Sequence, residues 1–298
     1  HCALAGGDRS VVGRRRGRRV IGIVKVARSD WGHTRGLYEA LGNQAKFIEW
    51  PYAHLPVNLQ GLSKVVILGD RWEMAHCAVA AVHAGVSIVH LHGGEHTPNV
   101  IDQAYRNAIS QMASVHCVAH DVHRWRLIHM GIDPTTIHVT GAPGLDRYAV
   151  PPISREAVSK ALRIDMGQNW AMVLLHPTTL RLQDATEEWE ATLDAINGRQ
   201  PVFFTPGNDP GAPKLRQRIE AYMHRHAWAR LVTDLEESLW VGLLHHADVV
   251  IGNSSTLVTD CPFLKKRTIE IGRRQQGRDR VPYGDGNSVP RIVEILTR

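Results

Sequence analysis

From Val20 onward the chain alternates short, β-branched apolar runs with amphipathic stretches, and this rhythm constrains the fold more than any other feature. Runs such as Val65-Val66-Ile67-Leu68 are apolar at every position, as expected of parallel strands covered by helices on both faces. The class is therefore α/β. Strands are expected near 20–26, 64–68, 86–91, 115–118 and 137–140, with helices near 34–41, 73–84, 101–112 and 122–130 between them. Regularity breaks over 142–154, where Pro143, Gly144, Pro151 and Pro152 stand close together. Beyond the break the pattern resumes, with strands near 171–175, 201–205, 230–232, 248–251 and 268–271. Helices are expected near 186–196, 213–226, 239–245 and 288–297. This divides the chain into a basic tail over 1–19, a first α/β unit over 20–150 and a second over 151–298. Its 298 residues are enough to give each unit its own core.

Composition removes several function classes. No apolar run approaches the roughly 18 to 20 residues of a membrane-spanning helix. The segment from Cys2 to Gly7 is too brief for the core of an export signal, so a cytoplasmic location is expected. Cys2, Cys77, Cys117 and Cys261 are scattered without a Cys-x-x-Cys pair, which argues against a zinc knuckle, a redox motif or a disulfide framework. The formal charge of +6 owes most to one run, Arg14, Arg15, Arg16, Arg18 and Arg19. That run lacks interleaved aromatics and any adjoining nucleic-acid motif, so it reads as a solvated tail, and no nucleic-acid partner is expected.

Five motifs carry chemistry, and each falls where a strand gives way to a helix. In such sheets ligands bind beyond the carboxyl ends of strands. Arg28-Ser29-Asp30 offers a guanidinium and helix N-terminal amides to an anion, or simply a surface arginine. Asp70 in Gly69-Asp70-Arg71 is either a carboxylate facing a cleft or the cap of the next helix. His90-Leu91-His92-Gly93-Gly94-Glu95-His96 is the densest. Period-two alternation puts His90 and His92 on one strand face, and the glycines admit close approach before Glu95. A metal held by His90, His92, Glu95 and His96 competes with that reading, although no familiar ligand spacing matches. Gly252-Asn253-Ser254-Ser255 presents hydroxyls at a helix start, suited to a diphosphate or to ordinary capping. Arg273, Arg274 and Arg278 bring forked donors that match phosphate oxygens.

Taken in order, these motifs resemble the hydrolysing UDP-N-acetylglucosamine 2-epimerases, including the epimerase half of the bifunctional sialic-acid enzyme of animals. Gly141-Ala142-Pro143-Gly144-Leu145-Asp146, His176-Pro177-Thr178-Thr179, Pro206-Gly207-Asn208-Asp209-Pro210-Gly211 and Arg274-Gln275-Gln276-Gly277-Arg278 extend the likeness over most of the chain. The Gly-Asp-Arg and Gly-Gly-Glu versions favour the hydrolysing branch over the non-hydrolysing one. The resemblance implies two Rossmann-like domains facing a cleft, of the glycosyltransferase-B type, with no nicotinamide cofactor and no required metal. It implies elimination of UDP from a UDP-2-acetamido sugar followed by hydration, releasing the C2-inverted sugar, N-acetylmannosamine when the substrate is UDP-N-acetylglucosamine.

By the same resemblance Asp70, Glu95, Asp102 and Arg106 are catalytic. Arg28, Arg71, His92, His176, Asn208, Ser254, Ser255, Asp260, Arg274 and Arg278 contact the UDP-sugar, and a homodimer through the first domain is allowed. Four departures bear on these roles. The stretch between Arg28 and Asp70 is several dozen residues shorter than usual for the family, so the first domain is shortened. Asn107 stands where the family usually has His. Leu257 replaces a Gly after the serine pair, and Asp260 replaces a Glu that contacts the ribose. Leu257 either packs into the core or narrows the nucleotide pocket. The rival functions are a UDP-sugar-dependent glycosyltransferase of the same fold and a nucleotide-sugar-binding protein without turnover.

Overall fold

The computed structural model describes residues 20–26, 28–49 and 58–298. The arginine run 14–19 and Cys2 lie outside the described residues, as do the side chains of Arg28 and Ser29. The first half contains, in chain order, β1 (Val20–Lys25), α1 (Arg28–Leu41), β2 (Ala45–Glu49), β3 (Leu62–Leu68), α2 (Trp72–His83), β4 (Ser87–Leu91), α3 (Asp102–Met112), β5 (Val115–Val118), α4 (Asp121–His129) and β6 (Ile137–Val139). The six strands form one parallel sheet in the order β2-β1-β3-β4-β5-β6. After a 3-10 segment at Pro143–Ala149 come α5 (Arg155–Leu162), β7 (Trp170–Leu174), α6 (Ala185–Ile196), β8 (Gln200–Phe204), α7 (Ala212–Arg225), β9 (Arg230–Val232), α8 (Glu237–His246), β10 (Val249–Gly252), α9 (Asp260–Phe263), β11 (Thr268–Glu270) and α10 (Ser288–Thr297). These strands build a second parallel sheet, ordered β11-β10-β7-β8-β9.

The central strands are buried along their length: β7 is enclosed at all five positions and β10 at all four. Three elements depart from the sequence reading. The strand β2 was not foreseen, because Lys46 and Glu49 interrupt its apolar run. As the edge strand it needs only one covered face, which Phe47 supplies by stacking on Tyr38 at a centroid distance of 4.1 Å. Helix α1 begins at Arg28 rather than near Thr34, and the carboxylate of Asp30 accepts the amide of Val26 at 3.0 Å. Helix α5 lies just past the break, in a stretch to which the sequence reading assigned no element, and Ser154 caps it by accepting the amide of Ala157.

The last helix corrects the division at residue 150. The sequence places α10 in the second unit, but Ile292 and Leu296 join the core of the first sheet, and Lys64 Nζ donates to the carbonyls of Ile295 and Leu296 at its C-terminal end. Its N-terminus is held by Asp146, whose two oxygens accept the amides of Ser288 and Val289 at 2.9 and 2.7 Å. The chain therefore crosses between the two sheets twice. Among the described residues no helix is long and apolar enough to cross a membrane.

Candidate active site

Strand order reverses between β1 and β3 in the first sheet and between β7 and β10 in the second. Such reversals leave a crevice beyond the carboxyl ends of the strands. Both crevices open into one cleft of about 1480 Å³, larger than the roughly 300–1,000 Å³ typical of small-ligand pockets. Two glycines are required to shape its walls. Gly252 adopts φ +140°, and a Cβ there would lie 2.0 Å from the Leu174 carbonyl oxygen. Gly94 adopts φ +73°, and its Cβ would lie 2.3 Å from the carbonyl oxygen of His123.

The first sheet supplies carboxylates. Asp70, just past β3, pairs with Arg106 of α3, and the Arg106 guanidinium also donates to Thr97 Oγ1 at 2.7 Å and to the Glu95 carbonyl. Arg71 faces Asp30 across the cleft floor at 3.9 Å. Asp102, the first residue of α3, lies on the same wall. Burial and the neighbouring carboxylates Asp70 and Asp209 push it up to about 6, against the pull of Arg274 and Arg71. A carboxyl in that range can both hold and release a proton near neutral pH.

The turn after β4 is arranged differently from the sequence expectation. His92 takes φ 63°, so the alternation ends at Leu91 and His90 does not share a strand face with His92. His90 is buried, with Nε2 against the Gly69 carbonyl at 2.8 Å and Nδ1 against Ser110 Oγ at 3.1 Å. Burial first, then Arg106 and neighbouring imidazoles, lower it to about 3 against the pull of Gly69. His92 instead lines the cleft. Its Nδ1 lies 2.6 Å from Glu95 Oε1, while the other Glu95 oxygen accepts from Arg278 at 2.7 Å. Glu95 is only 1% exposed. Burial alone would raise its pKa, but His92, Arg278 and Arg106 hold it well below the carboxylate range. With His90 committed to protein partners, the four side chains of the metal reading do not converge. Among the described residues no group of three or more His, Cys, Asp or Glu is arranged to hold an ion.

The second sheet supplies cations and hydroxyls. Asn253 locks the ends of β7 and β10 together, accepting from the His176 amide at 2.7 Å and donating to the His176 carbonyl at 2.8 Å. His176 lines the cleft, and burial with Arg274 and Arg71 nearby lowers it to about 3, so it is a neutral imidazole. Arg274, half-buried with an enclosed and unpartnered Nε, enters the same wall beside Ser254 and Ser255, and Asn208 lies exposed at the rim. Arg278 reaches across to Glu95 and stacks 5.5 Å from the Tyr283 ring.

One sequence expectation is changed here, one open choice is decided, and one candidate contact is already occupied by protein groups. The helix foreseen at Ser254 is a 3-10 turn, Ser255–Leu257, in which Ser254 Oγ accepts the Thr256 amide, followed by the four-residue α9. Leu257 is 3% exposed and packs with Val250 and Cys261 rather than narrowing the pocket. Asp260 lines the cleft but is engaged by protein groups, pairing with Arg147 and Thr259 and accepting from the Tyr148 hydroxyl at 2.6 Å.

Sequence reasoning overlooked His33, Arg147 and Asp209, all of which line the cleft. His33 had no visible signal, since one histidine on an amphipathic helix is ordinarily a surface residue. Its ring stands edge-on to His92 at 6.1 Å, and Nδ1 is buried without a partner. Burial and Arg147 lower it to about 4. Arg147 follows the Pro143–Asp146 motif immediately, and Asp209 stood inside a quoted motif, so both were within reach.

Residues 62–281 match the family described as UDP-N-acetylglucosamine 2-epimerase. The chain belongs to that family. A Legionella pneumophila UDP-N,N'-diacetylbacillosamine 2-epimerase (hydrolyzing) is 31% identical over 219 residues, covering 72% of this chain and 58% of that protein. A Neisseria meningitidis UDP-N-acetylglucosamine 2-epimerase is 30% identical over 72% of this chain and 56% of its own length. This chain thus spans under two thirds of the curated relatives it matches. Among solved structures, the Neisseria meningitidis UDP-GlcNAc 2-epimerase bound to UDP-GlcNAc aligns with TM-score 0.71 at 13% identity, covering 94% of this chain and 99% of that one. The S. aureus MnaA–UDP structure aligns with TM-score 0.72 at 13% identity, covering 94% and 96%. The epimerase family fold is thus two Rossmann-like domains of the glycosyltransferase-B type.

Proposed function

We propose that this chain is a hydrolysing 2-epimerase acting on a UDP-2-acetamido sugar. The observation that carries the reading is the division of labour across one cleft, with carboxylates on the first sheet facing guanidiniums and hydroxyls on the second. Departure of UDP from C1 leaves a diphosphate, and Arg274, Ser254 and Ser255 are the groups suited to receive it. As the C1–O bond breaks with its electrons leaving on UDP, the C2 proton is removed and a C1=C2 double bond forms. Water then adds its oxygen to C1 while a proton reaches C2 from the opposite face, which inverts that centre and frees the sugar.

Two proton carriers are needed, and their affinities must differ so that one is charged while the other is neutral. Asp102 fits one role, since a pKa raised to about 6 leaves about a tenth of it protonated at pH 7. Asp70, held against Arg106, is suited to orient the sugar and to keep Asp102 elevated. The acetamido sugars of the two curated relatives, N-acetylglucosamine and N,N'-diacetylbacillosamine, are the substrates to test first. Release of UDP from either one, measured by a coupled nucleotide assay, supports the reading. UDP binding by calorimetry with no release from any UDP-2-acetamido sugar would replace it with a binding protein.

A further inference from the structure

We infer that His92, oriented by Glu95, is the base that removes the C2 proton, and that Glu95 acts through His92 rather than on the sugar. The inference rests on the proposed epimerase reaction and deepens it.

The geometry is that of a carboxylate–imidazole dyad. Glu95 has both oxygens occupied, one by His92 Nδ1 at 2.6 Å and the other by Arg278 at 2.7 Å, and it is enclosed by protein. A carboxylate so engaged is held ionised, and it accepts the Nδ1 proton of His92. That fixes the tautomer, and in the neutral ring the lone pair then lies on Nε2. Nε2 is enclosed and has no protein partner, and the ring lines the cleft, so Nε2 is the ring nitrogen left for the sugar. The left-handed φ of 63° at His92 is a strained conformation for a non-glycine residue, retained at the point where the chain turns from strand to site.

The charge balance follows. Nε2 accepts the C2 proton as UDP leaves, so the ring becomes an imidazolium beside the Glu95 carboxylate, which stabilises it as the buried aspartate does in serine-protease triads. The groups surrounding the ring come from several elements. His33 of α1 stands edge-on to it, His123 of α4 and His90 of β4 lie behind, and Arg106 and Arg278 approach through Glu95. His33, His90 and His123 are lowered to about 4, 3 and 4, first by burial, so they are neutral at pH 7 and do not compete for the proton by charge. Asp102 remains as the second carrier, able to return a proton to C2.

The test uses His92→Gly in the full chain, a substitution the positive φ favours. The variant should bind UDP as the wild type does but lose turnover by at least about a hundredfold, and added imidazole should restore it saturably by at least about tenfold. Undiminished turnover, or a folded, UDP-binding variant that imidazole does not rescue, overturns the inference while leaving the epimerase reading intact. If His92→Gly does not fold, Glu95→Gln decides. Losing the carboxylate destabilises the imidazolium, so the acidic limb of the kcat profile should move to lower pH, and an unmoved limb overturns the inference. Absence of UDP release by the wild type removes the epimerase reading, and with it the reaction His92 would serve.

Discussion

Acid should destabilise this protein before most of its carboxylates titrate, because three histidines are sealed inside it. His90, His116 and His123 are 0, 1 and 0% exposed. Burial, above all, lowers them to about 3, 4 and 4. In the unfolded chain each returns to its ordinary value near 6.5, so below that pH the unfolded state binds protons that the folded state refuses. Stability is therefore complete above about 6.5 and falls as the pH drops toward about 4. At pH 5.5 each imidazole costs roughly 1.4 kcal/mol relative to pH 7.5, or about 4 kcal/mol for the three, and His33 and His176, lowered to about 4 and about 3 at the cleft, add to the loss in the same direction. Asp102 acts in the opposite direction. Raised to about 6, it is protonated sooner when folded, and this offsets under about 1 kcal/mol over the same range. A net loss of at least about 3 kcal/mol is a large share of the 5–15 kcal/mol that holds most domains together. Urea denaturation at pH 7.5, 6.5 and 5.5 measures it directly. His116→Gln, which removes one proton acceptor far from the cleft, should reduce the loss between pH 7.5 and 5.5 by about 1.4 kcal/mol even if it lowers stability overall. Equal stability at pH 7.5 and 5.5 would refute the reasoning.

Three further outcomes are expected. Leu257→Ala should cost about 2 to 5 kcal/mol and lower the melting temperature by several degrees while leaving UDP affinity alone, whereas tighter UDP binding would show that the side chain obstructs the pocket. Asp102→Asn should reduce kcat by at least about a hundredfold with UDP affinity little changed, and near-normal turnover would remove Asp102 from the proton transfers. Activity should survive exhaustive chelation, and its loss with recovery on one added metal would make His92, Glu95 and His96 ligands.

The buried strands were legible because a strand covered on both faces must be apolar where it is covered, as β7, β10 and the 65–68 part of β3 are. Strand β2, packed on one face at the edge, carries no such signature. The return of α10 to the first sheet was not legible either, since its apolar stripe of Val289, Ile292 and Leu296 fits any partner surface. In the site, position at strand ends identified Asp70, Glu95 and Ser254, because ligands gather there whatever the chemistry. What each carboxylate does was hidden, because it depends on partners distant in sequence. Glu95 is committed to Arg278, 183 positions away, and Asp260 to Arg147, 113 positions away. Leu257 depended on whether a helix or a 3-10 turn follows Ser254, a choice of one hydrogen-bond register that rotates the side chain from cleft to core.

The central claim is elimination and hydration with inversion at C2, and one experiment addresses all of it: proton NMR of the protein with a UDP-2-acetamido sugar in deuterated water. The account predicts UDP together with a free sugar of inverted C2 configuration, carrying deuterium at C2. A sugar still attached to UDP, or a free sugar that retains its C2 proton and configuration, would contradict it.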